Sequence, residues 1–237
     1  MKLIYPRLLL KISGEQLSGK FDGGIDAEVV AWIAKEIKQA TAVGAQIVVM
    51  IGGGNYVRGA QVAGNGIARV TADYMGMLGT MMNGLALADI FNAQNLPARV
   101  LTSIMADQVA DYFTQRRAVN HLGKGRVVII AGGTARPYLT TDTAAVNLAL
   151  ELDCDLVCKV TKVDGVYDKD PAKYPEATRF EHMTFQEAVE NRQVMVMDKA
   201  ALGLAMEQRK PIRVFDLHSE DNIRRVALGE PVGTLIS

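Results

Sequence analysis

The stretch Gln46 to Gly59 reads QIVVMIGGGNYVRG, and the fold is decided where its apolar half meets its glycine half. Ile47 to Ile51 is an unbroken apolar run with β-branched residues, the mark of a strand buried on both faces. It stops at Gly52, Gly53 and Gly54, which let the backbone turn sharply and bring its N–H groups close to a bulky anion. Asn55 then offers a turn or cap, and Arg58 puts a fork of donors one turn further on. Phosphate suits such a corner. The motif is neither of the two best-known glycine loops. Gly54 and Gly59 have Walker A spacing, but Ala60 and Gln61 stand where Lys and Ser/Thr belong. The dinucleotide fingerprint fails because Val57 sits where its last Gly should be. On this stretch alone, a tight strand-to-helix turn without ligand is an equal reading.

Working outward, the same alternation repeats. Arg7 to Ile12 (RLLLKI) reads as a first buried strand in which Lys11 is the exception, ended by Ser13 and Gly14. Leu17 to Gly24 is a polar, glycine-rich loop. Asp26 caps a helix whose Val29, Val30, Ile33, Ala34 and Ile37 form one stripe, closing at Gly44. Asn65 to Arg69 is a flexible link. Thr71 to Gln94 reads as a long helix with Met75, Met77, Met81 and Met82, a stripe suited to the core or to a subunit contact. Ala98 to Leu101 is a short strand, and Asp107 to Leu122 carries a mostly helical pattern, with Arg116 and Arg117 on a solvated face and His121 at its end.

Arg126 to Ala131 is a fourth apolar strand, ending at Gly132 and Gly133. In the following TARPYLTTD, Pro137 fixes the loop, Thr140 and Thr141 supply hydroxyls, and Asp142 opens a helix to Leu152. Leu156 to Val160 is a fifth strand, followed by a polar cluster of Thr161, Lys162, Tyr167 and Asp170 around the Asp164-Gly165 turn. Thr184 to Asn191 and Asp198 to Arg209 look helical. Ile212 to Leu217 is a strand, Asp221 to Leu228 a helix and Gly233 to Ile236 a last strand. This argues a largely parallel sheet covered on both faces, in one domain over residues 1–237.

Composition excludes several classes. Lys plus Arg and Asp plus Glu are both 26, so no overall field draws nucleic acid or an anionic membrane. No apolar run approaches the ~20 residues of a membrane span, and the start lacks a signal-peptide core, so a cytoplasmic protein is expected. Cys154 and Cys158 are read as buried free thiols on one face of the strand Leu156 to Val160 or its approach. Any anion site must therefore be local. In parallel sheets the strand C-terminal ends share one edge, where ligands bind. Lys11-Ser13-Gly14, Gly52 to Arg58, Gly132 to Asp142 and Thr161 to Asp170 all gather there. Lysines, glycine N–H groups and an Asp are what phosphoryl transfer needs, since developing charge must be neutralised and two substrates aligned.

KISGE (Lys11 to Glu15), IGGGNYVRG (Ile51 to Gly59), RVTADYMGMLGTMMNGLAL (Arg69 to Leu87), TTD (Thr140 to Asp142) and KVTKVDGVYDKDP (Lys159 to Pro171) together resemble the bacterial uridylate (UMP) kinases, of the amino acid kinase fold. VMD (Val196 to Asp198), PIRVF (Pro211 to Phe215) and GTLI agree, so the resemblance spans almost the whole chain in order. It implies a three-layer αβα sandwich and transfer of the ATP γ-phosphoryl to UMP, with Mg²⁺, giving UDP and ADP for pyrimidine nucleotide (CTP) synthesis.

By the same resemblance, Lys11, Ile12, Ser13 and Gly14 match the phosphate-binding stretch, with Lys11 the transition-state cation. Gly53 matches a UMP contact, and Gly54 and Arg58 match ATP contacts. Asp73 matches the acid that holds the UMP ribose. Thr134, Ala135, Arg136, Pro137, Tyr138, Leu139, Thr140 and Thr141 match the UMP loop, and Thr161, Tyr167 and Asp170 the adenosine side. Asp142 is expected to orient the lysines, Lys162 to touch phosphate, and Asp198 to help. No protein metal ligand is expected. The family is typically hexameric, activated by GTP and inhibited by UTP. The GTP-response segment lies at Ser18 to Gly24, with Gly19, Lys20, Phe21, Asp22 and Gly23 between them.

One departure stands out. The family's loop reads close to GTGNPFFTTD, where this chain has GTARPYLTTD. Arg136 adds a cation beside the acceptor, and Ala135 replaces a Gly, which asks for a backbone angle that Ala accepts. Three rival readings fit the residues less well. A kinase of this fold acting on a carboxylate or carbamate is disfavoured by Asp73, which would repel such an acceptor. A non-catalytic nucleotide or oxyanion binder, like the molybdenum storage proteins, is disfavoured by Lys11, Asp142 and Lys162. A dinucleotide oxidoreductase lacks its fingerprint.

Overall fold

Apolar runs that end in glycine become strands that stop at one edge of the molecule. The computed structural model describes residues 2–57, 66–191 and 196–237. Its first half contains β1 (Arg7–Ile12), a short 3-10 turn (Gly14–Ser18), α1 (Ala27–Ala42), β2 (Gln46–Ile51), α2 (Arg69–Ala93), β3 (Ala98–Thr102), β4 (Asp111–Tyr112), α3 (Gln115–Gly123) and β5 (Val127–Ala131). There follow α4 (Thr141–Glu151), β6 (Leu156–Thr161), β7 (Val166–Tyr167), β8 (Arg179–Phe180), β9 (His182–Met183), α5 (Phe185–Glu190), α6 (Lys199–Glu207), β10 (Ile212–Asp216), α7 (Asn222–Ala227) and β11 (Thr234–Ile236).

Nine strands form one sheet in the order β4-β3-β5-β2-β1-β6-β10-β11-β9. Every pair is parallel except β10 with β11. Alternating side chains divide the core between two layers. Leu8, Leu10 and Ile12 face α1, α2 and α7, against Ile33, Ile37, Phe91 and Val226. Leu9 faces the opposite layer, with Ala118 of α3, Val146 of α4, Ala188 of α5 and Leu202 of α6. This is the three-layer αβα sandwich with a largely parallel sheet that the sequence implied.

Three expectations need correction. The helical pattern over Asp107 to Leu122 holds only from Gln115; β4 precedes it, with Thr114 as the cap, its side chain accepting from Arg117 N–H. The loop from Leu17 begins inside the 3-10 turn, where Leu17 and Ser18 are buried. The cysteines do not share a face. Cys158 lies in the α1 layer and Cys154, in the turn before β6, in the α4 layer, because the period of two starts only with the strand. Both are buried free thiols, and burial pushes Cys154 up to about 12 and Cys158 further still. Of the expected methionine stripe, Met77 and Met81 are buried while Met82 is exposed. The expected link from Asn65 lies partly outside the described residues.

Candidate active site

The centre of the site follows from strand register. β1 and β6 are parallel neighbours, and Lys11 stands directly opposite Lys159. Like charges so placed repel and destabilise the pair. The conflict is relieved from the next layer, where α4 begins. Thr140 caps that helix through Asp142 N–H at 3.0 Å, which brings Asp142 into its first turn. Asp142 Oδ1 lies 2.7 Å from Lys11 Nζ, a close but poorly aligned ion pair, and Lys159 Nζ donates to Oδ2 at 2.9 Å. Side-chain exposures of 12% for Lys11, 18% for Lys159 and 11% for Asp142 make this a nearly dry triad carrying one net positive charge.

The protonation states follow. Burial alone would push Asp142 up, but attraction to Lys11 and then Lys159 outweighs it and leaves the carboxyl below its usual range. Lys159 is lowered, chiefly by burial, with Asp142 opposing that and Lys11 adding to it. A second acid closes the cluster. Asp198 caps α6 through Ala201 N–H at 2.8 Å and accepts from Thr143 Oγ1 at 3.0 Å and Thr140 Oγ1 at 2.5 Å. Two helix N-termini thus meet beside the lysines.

One cavity opens at Lys159 of this triad, and another at Thr140 and Thr141, next to Asp142 in the chain. The first, of about 340 Å³, is lined by Lys159, Thr161, Val163, Gly165, Tyr167, Asp170 and Pro171, so the expected adenosine-side residues come together. Tyr167 Oη donates to Asp164 at 2.5 Å there. The second, of about 290 Å³, is lined by Gly53, Gly54, Arg69, Asp73, Gly76, Thr80, Gly133, Thr134, Leu139, Thr140 and Thr141. It unites most of the expected acceptor residues. Asp73 is already engaged, by Arg69 Nε at 2.8 Å and by the Tyr138 N–H at 2.8 Å, so it ties the loop to α2. Arg69 also lies over the Tyr138 ring, 5.3 Å from its centroid.

Other expected residues fall elsewhere. Ala135 and Arg136 line a neighbouring cavity of about 560 Å³ with Tyr112, Gln115, Asn147 and Glu151. Ala135 has φ +54° and Tyr138 φ +68°, so the expectation that Ala135 takes an angle Ala accepts is overturned: it holds the left-handed conformation that favours glycine. Ile12 is buried in the core and Ser13 caps the 3-10 turn. Lys162 does not reach the triad. It is exposed and lines a cavity of about 520 Å³ with Glu15, Ser18, Gly19, Phe21, Asp22, Gly23 and Gly54. Lys20 pairs with Glu28 at 3.6 Å, and Gly24 meets Asn55. Arg58 lies outside the described residues.

Lys159 was missed as a site residue. The signal was present, because a lysine inside the apolar run LVCKV is the same anomaly that singled out Lys11. A parallel sheet with paired lysines at its ligand-binding edge defines a phosphoryl-handling fold. The chain belongs to the amino acid kinase family, whose model matches residues 6–216. It is 46% identical over 233 residues to a uridylate kinase of Coxiella burnetii, covering 98% of this chain and 96% of the relative. Among solved structures it resembles a UMP kinase from Bacillus anthracis (TM-score 0.92, 38% identity, 98% and 96% of the two chains). A UMP kinase from Ureaplasma parvum is also similar (TM-score 0.89, 32% identity, 98% and 99% covered).

Proposed function

We propose that this protein is a UMP kinase, a nucleoside monophosphate kinase that transfers the ATP γ-phosphoryl to UMP, yielding UDP and ADP for pyrimidine nucleotide synthesis. The observation that carries the reading is the Lys11–Asp142–Lys159 triad, with one cavity lined by Lys159 and another by Thr140 and Thr141 beside Asp142. ATP lies with its adenosine between Thr161, Tyr167 and Asp170, and UMP lies against Gly53, Asp73 and the Thr134–Thr141 loop. The γ-phosphoryl then passes beside the lysines. Lys11 meets the charge that develops on the equatorial oxygens, an interaction strongest in the transition state. Asp142 holds both ammonium groups so that the field needs no rearrangement during transfer.

Mg²⁺ would neutralise phosphate charge as it arrives with ATP. Asp142 and Asp198 are each already held by protein donors, which fits an ion carried by the nucleotide better than one caged by the protein. We extend the proposal to a homohexamer in the cytoplasm, with GTP activation and UTP inhibition acting through it. Val70, Tyr74, Leu78 and Met82 form an exposed apolar stripe on α2, which supports assembly of several copies. No helix among the described residues is long and apolar enough to cross a membrane.

The test is ADP release with Mg-ATP and, in parallel, UMP, CMP, dTMP, N-acetylglutamate and aspartate. Turnover with UMP alone is expected. Turnover with a different acceptor would mean that Ala135, Arg136 and Leu139 have re-aimed the site, and silence from folded, ATP-binding protein would leave a binding role.

A further inference from the structure

Asn83 of α2 has none of its surface exposed, and a buried side-chain amide must have its hydrogen bonds met. Its Nδ2 donates to Gly52 O at 2.7 Å and to Asn55 Oδ1 at 2.8 Å. Asn55 Nδ2 donates back to Asn83 Oδ1 at 2.9 Å and to Gly24 O at 2.7 Å. Carbonyls can only accept, so the partners fix which way both amides face. The two form a reciprocal pair.

The consequence for the glycine corner follows from peptide geometry. All peptides described are trans, so each C=O points opposite to the N–H of the next residue. By holding Gly52 C=O, Asn83 turns the Gly53 N–H away from the amide pair. Gly53 C=O is held in turn by Tyr56 N–H at 3.1 Å and Val57 N–H at 3.2 Å, which turns the Gly54 N–H away from that turn. Neither glycine N–H has a protein acceptor among the described residues. The same pair touches the neighbouring segments. A Cβ on Gly14 would strike Asn55 Oδ1, so the amide lies flat against the end of the Lys11–Gly14 stretch. A Cβ on Gly53 would strike Gly76 O, so the corner rests directly on the backbone of α2.

We propose that the Asn55–Asn83 amide pair is the positioning element that aims the Gly53 and Gly54 N–H groups at the phosphoryl in flight, with Asn83 its anchor. This rests on the kinase reading above. A neutral amide suits the task. A carboxylate could not donate to Gly52 O and would set negative charge beside the phosphates, whereas a lysine would bind phosphate itself.

Wild-type turnover with UMP is measured first and tests the kinase reading by itself. Asn83→Asp keeps the shape but has no N–H to give. In folded protein its kcat should fall about 100-fold, with the KM values for ATP and UMP changed much less. With nitrogen-labelled glycine, the Gly53 and Gly54 amide signals should move when a non-hydrolysable ATP analogue binds the wild type, and move less in Asn83→Asp. A purely structural role predicts lower stability with normal kcat and normal signal shifts, and that result would overturn the proposal. If Asn83→Asp does not fold, Asn55→Asp, at the half-buried partner, removes the donations to Gly24 O and Asn83 Oδ1. A kcat reduced about tenfold is then expected, and an unchanged kcat sinks the idea. Should the wild type ignore UMP, the amide signals still decide whether the pair aims the corner.

Discussion

The loop from Gly132 to Thr141 runs directly into Asp142 of the Lys11–Asp142–Lys159 triad, yet loop and triad are held by opposite means. The triad is nearly dry, and its central acid makes contacts to two strands at once. The loop is partly exposed, carries two non-glycine residues at positive φ, and is tied to α2 through the Tyr138 N–H and Asp73. One region is overdetermined by charge. The other is anchored at its ends by Gly132 N–H to Thr80 Oγ1 and Thr140 Oγ1 to Asp198, is tied in its middle by the Tyr138 N–H to Asp73, and stores backbone strain. The contrast suits a transferase: the groups that meet developing charge must not move, whereas the groups that choose the acceptor must open for it.

The sharpest way to break the comparison is Lys11→Ala. Loss of a preorganised transition-state cation should lower kcat by about 1,000-fold, while circular dichroism and melting show an intact fold. Near-normal turnover would remove Lys11 from the mechanism and leave the triad as architecture only.

Asp142→Asn comes next and acts on stability. It leaves Lys11 and Lys159 facing each other across neighbouring strands, and breaking a buried pair by removing one partner costs roughly 3 kcal/mol. The pH dependence has a definite sign. Asp142 titrates below its usual range, so its contribution is complete above the unfolded value of about 3.9 and is lost as pH falls through the lower folded value. Urea midpoints followed down into acid should therefore fall less steeply in Asp142→Asn than in the wild type. Parallel slopes would mean that the triad is not a stabilising unit.

Much of this was legible in the sequence, for reasons that separate the two regions again. Buried parallel strands announce themselves as apolar runs, and a lysine inside one, such as Lys11, is an anomaly that local pattern exposes. Asp142 was marked by its place at a helix start. What joins them was not legible. Whether Lys159 or Lys162 meets Asp142 depends on the β1–β6 register, which places Lys159 opposite Lys11 and lets Lys162 pass beyond the strand end. Asn83 and Thr80 read as ordinary polar residues of a long helix. Their partners, Gly52 O and Gly132 N–H, lie 31 and 52 residues away in the chain. The left-handed angle of Ala135 was hidden because a glycine-to-alanine difference reports on the side chain and not on the backbone beneath it.

Asp73→Ala moves to the adjustable region. It removes the carboxylate that holds Arg69 and the Tyr138 N–H, so the loop loses its tether and the acceptor loses a partner. The KM for UMP should rise by roughly 10- to 100-fold, equivalent to one or two charge-assisted hydrogen bonds, with the KM for ATP nearly unchanged. Equal effects on both substrates would place Asp73 outside the acceptor side, and the two regions would then have to be treated as one.

The smallest effect is expected at Ala135. Its φ of +54° costs a residue with a Cβ about 1 kcal/mol, and glycine takes that angle freely. Ala135→Gly removes this strain but also loosens the unfolded chain, which offsets part of the gain. The expected net is a stabilisation below about 1 kcal/mol in denaturant unfolding. The kinetic outcome carries more information. Ala135 N–H is held by Gly132 O at 3.0 Å, so the turn should persist and kcat should stay within about twofold. If the strain works against the tether to Asp73, relieving it should tighten that tether and raise the KM for UMP slightly. If the strain helps keep the loop tied, relieving it should loosen the tether, and KM should be unchanged or lower. Either sign locates the strain relative to the Tyr138–Asp73 tether in the middle of the loop, something the rigid triad has no counterpart for.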